Sequence, residues 1–297
     1  ADLICIGTVA DIVPLTGENR ILVRQGIALI PETTNYGLRA LLEETGLAGK
    51  KLTAEAIAFG IAPKLNSAAR LGSAYQVTEL LTTEDEERAE ELARDLYEQN
   101  RRRQELEREI AEEVDKLYAE RADVFNDRVI VIEGEGWHHG VIGIVCARVV
   151  EHTGKPCVLI SRDGAEARGS ARSVEGFSLY KLLDSCSDLL TKFGGHTKAA
   201  GFSIDADKIE EFRSRIYRYT EENYPSMPAD VICADAEIKP ADLTVQNVER
   251  LKYLEPFGEA NSVPLFYMKG CTLKTTRALK NGKYVSVTVD FGGREYK

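Results

Sequence analysis

The chain has 297 residues, enough for more than one domain, and its 43% hydrophobic and 29% charged residues are an ordinary globular mix. No apolar run approaches the ~20 residues of a membrane-spanning helix, so a cytoplasmic location without membrane attachment is expected. The net charge of −10 argues against a nucleic-acid partner only until its distribution is read. Residues 84–121 hold 15 acidic and 8 basic residues, whereas the tail from Pro264 holds 7 basic and 2 acidic ones.

Ala1 opens the chain without an initiator Met, and Leu3 to Val9 reads as a buried strand with Asp11 just past its end. That abrupt start leads to the expectation of a fragment whose first strand lacks sheet neighbours, and hence of poor solubility. Arg20 to Leu29, Tyr36 to Thr45 and Thr53 to Ile61 read as helices, with Gly46 as a C-cap. From Glu84 to Val124 no Gly or Pro interrupts a helical apolar spacing, which suits a long connecting helix with a solvated charged face. A second domain starts near Arg128. Strands are expected at Val129 to Ile132, Cys157 to Ser161, Glu166 to Ser173 and Gly201 to Ile204. Helices are expected at Gly140 to Glu151, Leu179 to Phe193 and Ile209 to Asn223. This alternation indicates an α/β layer fold. After the linker Pro225 to Pro228, short strands at Ala234 to Ile238, Leu265 to Leu273 and Tyr284 to Phe291 fit a small β-barrel of OB type. The six Cys form no CxxC pair and read as buried free thiols of a reducing compartment.

Three strings in the second domain carry chemistry. In Gly136-Trp137-His138-His139-Gly140 a strand gives way to a helix whose N-terminal N–H groups face outward, a setting suited to anions, with Trp137 able to stack on a base. Ser170, Arg172 and Ser173 place two hydroxyls and a guanidinium at a strand end, a phosphate cradle. Gly194 and Gly195 allow close backbone approach to a ligand, with His196 and Lys198 as donors beside them. Taken alone, the first string reads equally as a capped helix with a packed Trp, and the second reads more readily as an ordinary exposed strand end. In the first domain Asp11 could ligate a divalent cation, though a turn or cap role is the commoner one for a lone Asp. Asn66 and Arg70 share one face if their segment is helical.

Together and in order, these strings resemble the DHH phosphoesterase superfamily in its RecJ branch. "GTVADIVPL", "APKLNSAARLGSA", "GWHHGVIGIVCARV", "GSARS", "FGGHTKAAGFSI" and "LEPFGEANSVPLF" each resemble a RecJ string, and the resemblance covers essentially the whole chain. It implies a C-terminal portion of a DHH catalytic domain over 1–82, a connecting helix over 83–126, a DHH-associated substrate-binding domain over 127–225 and an incomplete OB-fold domain over 229–297. The namesake Asp-His-His and its upstream aspartates are absent. His139 stands where RecJ proteins commonly have Pro, Ala69 where a Gly is usual, and "EANSVP" lacks the usual Gly-Asn-Pro core.

The resemblance implies 5′→3′ hydrolysis of single-stranded DNA to mononucleotides, in DNA repair and recombination. Two Mn²⁺ or Mg²⁺ ions would activate the water. Asp11 would be the one metal ligand present, and Asp11, His138, Arg172 and His196 the catalytic group. Asn66, Arg70, Trp137, Ser170, Arg172, Ser173, Gly194, Gly195, His196 and Lys198 would bind the strand. Tyr267, Arg277, Lys280, Lys283 and Tyr284 would serve the OB-type domain. A monomer acting with a single-strand-binding protein or a helicase is expected, and the 297 residues alone are expected to be inactive. Two alternatives stay open: a DHH enzyme degrading short oligonucleotides or cyclic dinucleotides, and a non-catalytic nucleic-acid-binding scaffold.

Overall fold

A computed structural model describes residues 1–120, 128–228, 231–279 and 284–297. The chain divides into two compact units, Ala1–Pro63 with Ile232–Lys297, and Lys64–Val231.

The first unit opens with helix α1 (Asp2–Ala10), not the strand expected from its β-branched residues. A short apolar run fits a buried helix and a buried strand equally well, and tertiary packing decides. Here α1 lies against α2 (Gly17–Leu29), where Gly26 leaves room: a Cβ there would fall 2.3 Å from the Cys5 Cβ. Cys5 and Ile6 are buried, while Leu3, Ile4 and Ile12 remain exposed. The expected open strand edge is therefore not present in this segment. Helix α3 (Tyr36–Glu44) begins at Asn35, whose side chain accepts from the Leu38 N–H, and ends before Gly46 with φ +65°. Residues Ala56–Ile61 form a π-helical turn leading into α4 (Ala62–Leu71). Pro63 has no N–H to donate, so the turn ahead of it widens.

The OB portion contributes β6 (Ala236–Glu237), helix α10 (Val245–Arg250), β7 (Phe266–Tyr267), β8 (Thr272–Leu279), β9 (Tyr284–Phe291) and β10 (Arg294–Tyr296). Strands β6 and β7 pair with each other, and β8, β9 and β10 form an antiparallel sheet. Among the described residues they do not close into a barrel. The expected strand Leu265 to Leu273 is broken at Gly270, whose φ of +74° turns the chain between β7 and β8. The lead-in loop is tied to the first helices. Arg20 Nη2 donates to the carbonyls of Tyr253 and Leu254 at 3.1 and 2.9 Å, and the Leu15 N–H donates to the Glu259 carbonyl at 2.7 Å.

The second unit holds α5 (Tyr75–Thr82) and the 35-residue α6 (Glu86–Glu120). Ala89, Leu92, Ala93 and Leu96 of α6 are buried, and the Ser67 hydroxyl of α4 bonds to the Leu96 carbonyl. Beyond them, Ile110 and Val114 enter a core shared with α7 (His139–Thr153). The long helix is thus built into this unit. Its sheet has the order β1 (Ile130–Glu135), β2 (Cys157–Asp163), β3 (Glu166–Arg172), β5 (Ala199–Asp205), β4 (Leu190–Gly195). Only β1 and β2 run parallel, joined through α7, and the other pairs are antiparallel. The α7 face packs Ile130, Ile132, Cys157 and Leu159. The opposite face packs Val131, Val158, Ala171 and Phe202 under α8 (Leu179–Asp184) and α9 (Ile209–Asn223). The expected helix Leu179 to Phe193 stops at Asp184, and Leu190 begins β4 instead. Paired glycines suit an edge strand in tight register with β5 better than a helix. Four cysteines are buried as expected, but Cys233 and Cys271 are exposed.

Candidate nucleic-acid interface

The β3–β5–β4 register brings two of the three strings onto adjacent strands. Ser170 pairs with Gly201, which pairs with Gly194, while Arg172 pairs with Ala199. Side chains alternate along a strand, so Ser170, Gly201 and Gly194 share the α7 face. A Cβ at Gly194 would meet nothing within 4 Å, and one at Gly201 only the Gly169 carbonyl at 3.7 Å. Beside Ser170 the sheet therefore presents a bare backbone floor. At its end, the His196 N–H donates to the Ala199 carbonyl at 2.8 Å and the Ser173 N–H to the Lys198 carbonyl at 3.0 Å. Gly195, at φ +150°, packs so closely on Ala200 that a Cβ would lie 2.5 Å from its Cα.

The third string joins them through α7. His138 is its N-cap: Nδ1 accepts from the Gly140 N–H at 3.2 Å, and the ring stacks on His139 with centroids 5.0 Å apart. Burial first, then the neighbouring His139, hold the His138 pKa below its ordinary value, so the neutral cap is favoured. One turn on, Gly143 faces β3. A Cβ there would come 2.8 Å from Arg172 Nη2 and 2.9 Å from Ser170 Oγ. The Arg172 guanidinium is fixed by bonds from Nη1 to Ser170 Oγ at 3.1 Å and to the Ala171 carbonyl at 2.8 Å.

Arg70, at the end of α4, meets the same helix terminus. Its Nη1 donates to the Gly140 carbonyl at 3.1 Å, and a Cβ on Gly140 would lie 2.3 Å from the Arg70 carbonyl oxygen. The Arg70 pKa is lowered by partial burial of its guanidinium, and further by the positive charges of Arg103 and Arg172. Arg70 and Arg172 therefore stand within mutual electrostatic reach beside the positive end of a 15-residue helix. Cations held together in this way gain by taking an anion.

The DHHA1 domain family matches residues 126–222, and the RecJ OB domain family matches residues 234–297. The single-stranded-DNA-specific exonuclease RecJ of Thermus thermophilus is 37% identical over 286 residues, covering 96% of this chain and 41% of that protein. The chain belongs to the RecJ family. Crystal structures of Thermus thermophilus RecJ in complex with Mn²⁺ and with Mg²⁺ superpose with TM-scores of 0.83 and 0.80 at 35% and 34% identity. Each covers 99% of this chain, and 43% and 45% of the solved chain respectively. The chain spans less than half the length of the curated RecJ relatives it matches.

Within this RecJ-family chain, Arg70, His138, Ser170 and Arg172 come together, with Ser173, Gly194, Gly195, His196 and Lys198 at the adjoining hairpin. Lys198 is paired with exposed Glu175 at 2.5 Å, and Ser173 Oγ donates to the Phe177 carbonyl at 3.1 Å. Asn66 is exposed one turn before Arg70 on α4. Trp137 differs from expectation. It is 6% exposed, packs over Gly134 and donates from Nε1 to Glu113 Oε2 of α6 at 2.7 Å. Its ring faces are covered by core, which leaves no face for a base.

Divalent ions need several converging oxygen or nitrogen donors. Asp11 is exposed at the C-cap of α1, and among the described residues no three His, Cys, Asp or Glu side chains converge on one point. Asp11 alone does not make a metal centre. In the OB portion, Tyr267 donates to Glu237 Oε2 at 2.9 Å, Arg277 is exposed, and Lys280 and Lys283 lie outside the described residues.

Sequence reasoning missed Arg103, Glu107 and Arg148. The α6 side of the site is built around Glu107, which is 2% exposed and pairs with both arginines. The only signal was the i, i+4 spacing of Arg103 and Glu107, which a charged helix surface shows just as well.

Proposed function

We propose that this chain is the strand-gripping part of a metal-dependent exonuclease that shortens single-stranded DNA from the 5′ end to mononucleotides, in DNA repair and recombination. One observation carries the reading: Arg70, Arg172 and Ser170 converge at the capped N-terminus of α7, beside a floor of bare glycine backbone. The two guanidiniums and the helix end suit a backbone phosphate. The floor of Gly194 and Gly201 lets the flat face of an unpaired nucleotide approach the sheet. His138, His196, Ser173 and Lys198 supply further donors around it, with Asn66 next to Arg70. The relatives' names as single-stranded-DNA-specific exonucleases support this choice of substrate.

Hydrolysis requires metal ligands beyond Asp11. The 297 residues therefore bind single strands but do not digest them at an appreciable rate. Mn²⁺ or Mg²⁺ would serve a centre to which Asp11 gives one ligand. A soluble cytoplasmic monomer, working behind a helicase or on strands coated by a single-strand-binding protein, fits this role. No helix among the described residues is long and apolar enough to cross a membrane.

The test is fluorescence anisotropy with a labelled oligo-dT, alongside digestion of end-labelled single strands in Mn²⁺. Binding weakened roughly 10- to 150-fold by Arg172→Ala is expected, since a charge-assisted contact is worth about 1.5–3 kcal/mol. Equal binding by wild type and variant would overturn the phosphate role of Arg172. Rapid Mn²⁺-dependent digestion by the 297 residues would overturn the requirement for further ligands. Preference for cyclic dinucleotides over long strands would move the assignment to the compact phosphodiesterases.

A further inference from the structure

The charge balance under the site has an unused member. Glu107 sits mid-way along α6 with its side chain 3% exposed. Its carboxylate pairs with Arg103 through Oε2 and with Arg148 Nη2 of α7 through Oε1, the latter at 2.6 Å. Arg103 is also largely buried, its side chain 11% exposed, and its Nη2 donates to Asn100 Oδ1 at 3.0 Å. Arg148 is open to solvent, so water can satisfy it without Glu107. Arg103 has no such recourse.

We propose that Glu107 is a positioning residue for phosphate binding, the buried carboxylate that neutralises Arg103 so that Arg70 and Arg172 can face one phosphate together. The proposal rests on the reading of this surface as a single-strand site. Its physical basis is a conflict of like charges. Partial burial is the main cause that disfavours the charged forms of Arg70 and Lys64; the positive charge of Arg103 adds to it at both, that of Arg172 adds to it at Arg70, and the Glu107 carboxylate opposes it there. Arg103, unneutralised, would add its charge to that of the two guanidiniums already held beside the start of α7. A buried cation stripped of its partner is strongly disfavoured and forces its surroundings to rearrange. Glu107 offsets both effects, and through Arg148 it also ties α6 to α7, whose N-terminus carries the site.

The sign of one substitution separates this role from background electrostatics. Glu107→Gln keeps the shape and removes a negative charge. If Glu107 were only part of the background field, the variant would bind DNA more tightly. If it positions the arginines, binding weakens because Arg103 is released to disturb Arg70. The experiment measures anisotropy of labelled oligo-dT with the 297-residue chain across a salt series, in the presence of EDTA. The expected result for Glu107→Gln is roughly tenfold weaker binding, with a log K against log salt slope shallower by about one phosphate contact. Glu107→Gln combined with Arg103→Gln removes both charges of the pair and is expected to restore affinity to within about threefold. Tighter or unchanged binding by a folded Glu107→Gln variant would overturn the proposal, as would failure of the double variant to recover. Should the single variant not fold, the double variant decides in the same way. Arg172→Ala serves as the control for the underlying reading. If it has no effect, the single-strand site itself is wrong. If it weakens binding while the Glu107 variants do not follow the expected pattern, only the positioning role is wrong.

Discussion

Gly143→Ala should weaken DNA binding without unfolding the protein. In the interior of α7, Ala is favoured over Gly by about 1 kcal/mol. Against this, the new methyl would lie 2.8 Å from Arg172 Nη2 and 2.9 Å from Ser170 Oγ, both under contact distance. These are ends of side chains, so the overlap is relieved by swinging Arg172 aside. That movement breaks the bonds of Nη1 to Ser170 Oγ and the Ala171 carbonyl, each worth about 1 kcal/mol net, partly replaced by water. Stability should then change by no more than about 1 kcal/mol in either direction. Affinity suffers more, because a guanidinium out of position forfeits a charge-assisted phosphate contact of about 1.5–3 kcal/mol, roughly 10- to 150-fold. Urea titration gives the first quantity and oligo-dT anisotropy the second. Unchanged affinity in a variant with a wild-type urea midpoint would show that Arg172 need not rest against Gly143 to hold a phosphate.

Four further outcomes follow from the same geometry. Gly140→Ala should cost about 1–3 kcal/mol in stability, since its methyl would meet the Arg70 backbone carbonyl at 2.3 Å; a wild-type urea midpoint would contradict this. Trp137→Phe should destabilise by about 1–3 kcal/mol through loss of the Glu113 bond and some packing, yet leave DNA affinity within about twofold. A tenfold loss of affinity in that variant would return Trp137 to the binding surface. Ala260→Gly should stabilise the first unit by about 1 kcal/mol in a urea titration, because Ala260 sits at φ +57°, where an L side chain is strained. Stability should fall as pH drops below about 6.5, since His138 is held below that value in the fold and the unfolded chain then binds more protons. His138→Asn keeps an acceptor for the cap without the titration, and a pH–stability profile identical to wild type would rule His138 out as the cause.

The sequence made some of this legible and hid the rest for identifiable reasons. Helix Ile209–Asn223 and strand Tyr284–Phe291 were readable to the residue, because their apolar spacing is regular and their ends are marked. Segment Leu3 to Val9 was not, because a run this short has no periodicity to distinguish helix from strand, and Gly26 on the neighbouring α2 settled the matter. Leu190 to Phe193 was misread for a related reason. Its apolar residues continue the spacing of α8, and only pairing with β5 shows where the helix has ended. The candidate strings were legible as strings, but their meeting was not. That Ser170 lies beside Gly201 and Gly194 depends on strand order, which no local pattern encodes. Trp137 had the composition of a stacking residue, and its burial over Gly134 and its bond to Glu113 on α6 show that it belongs to the core.

Gly140 and Gly143 carry the last step. A glycine-rich helix start invites the view that its free N–H groups form the anion site. Yet Nδ1 of His138 already takes the Gly140 N–H, and the room left by the absent side chains is filled from within the protein. At Gly140 that room admits the Arg70 backbone, and at Gly143 the Ser170 and Arg172 side chains. The glycines thus bring two cations to the helix end, which adds side-chain charge to the helix dipole. The two positions differ in what fills them. Backbone cannot move aside, whereas a guanidinium can, so a methyl at Gly140 should register in stability and one at Gly143 in affinity. A site made from helix N–H groups alone would respond alike at both positions. The contrast between the two variants therefore distinguishes an anion site built by imported arginines from one built by the loop.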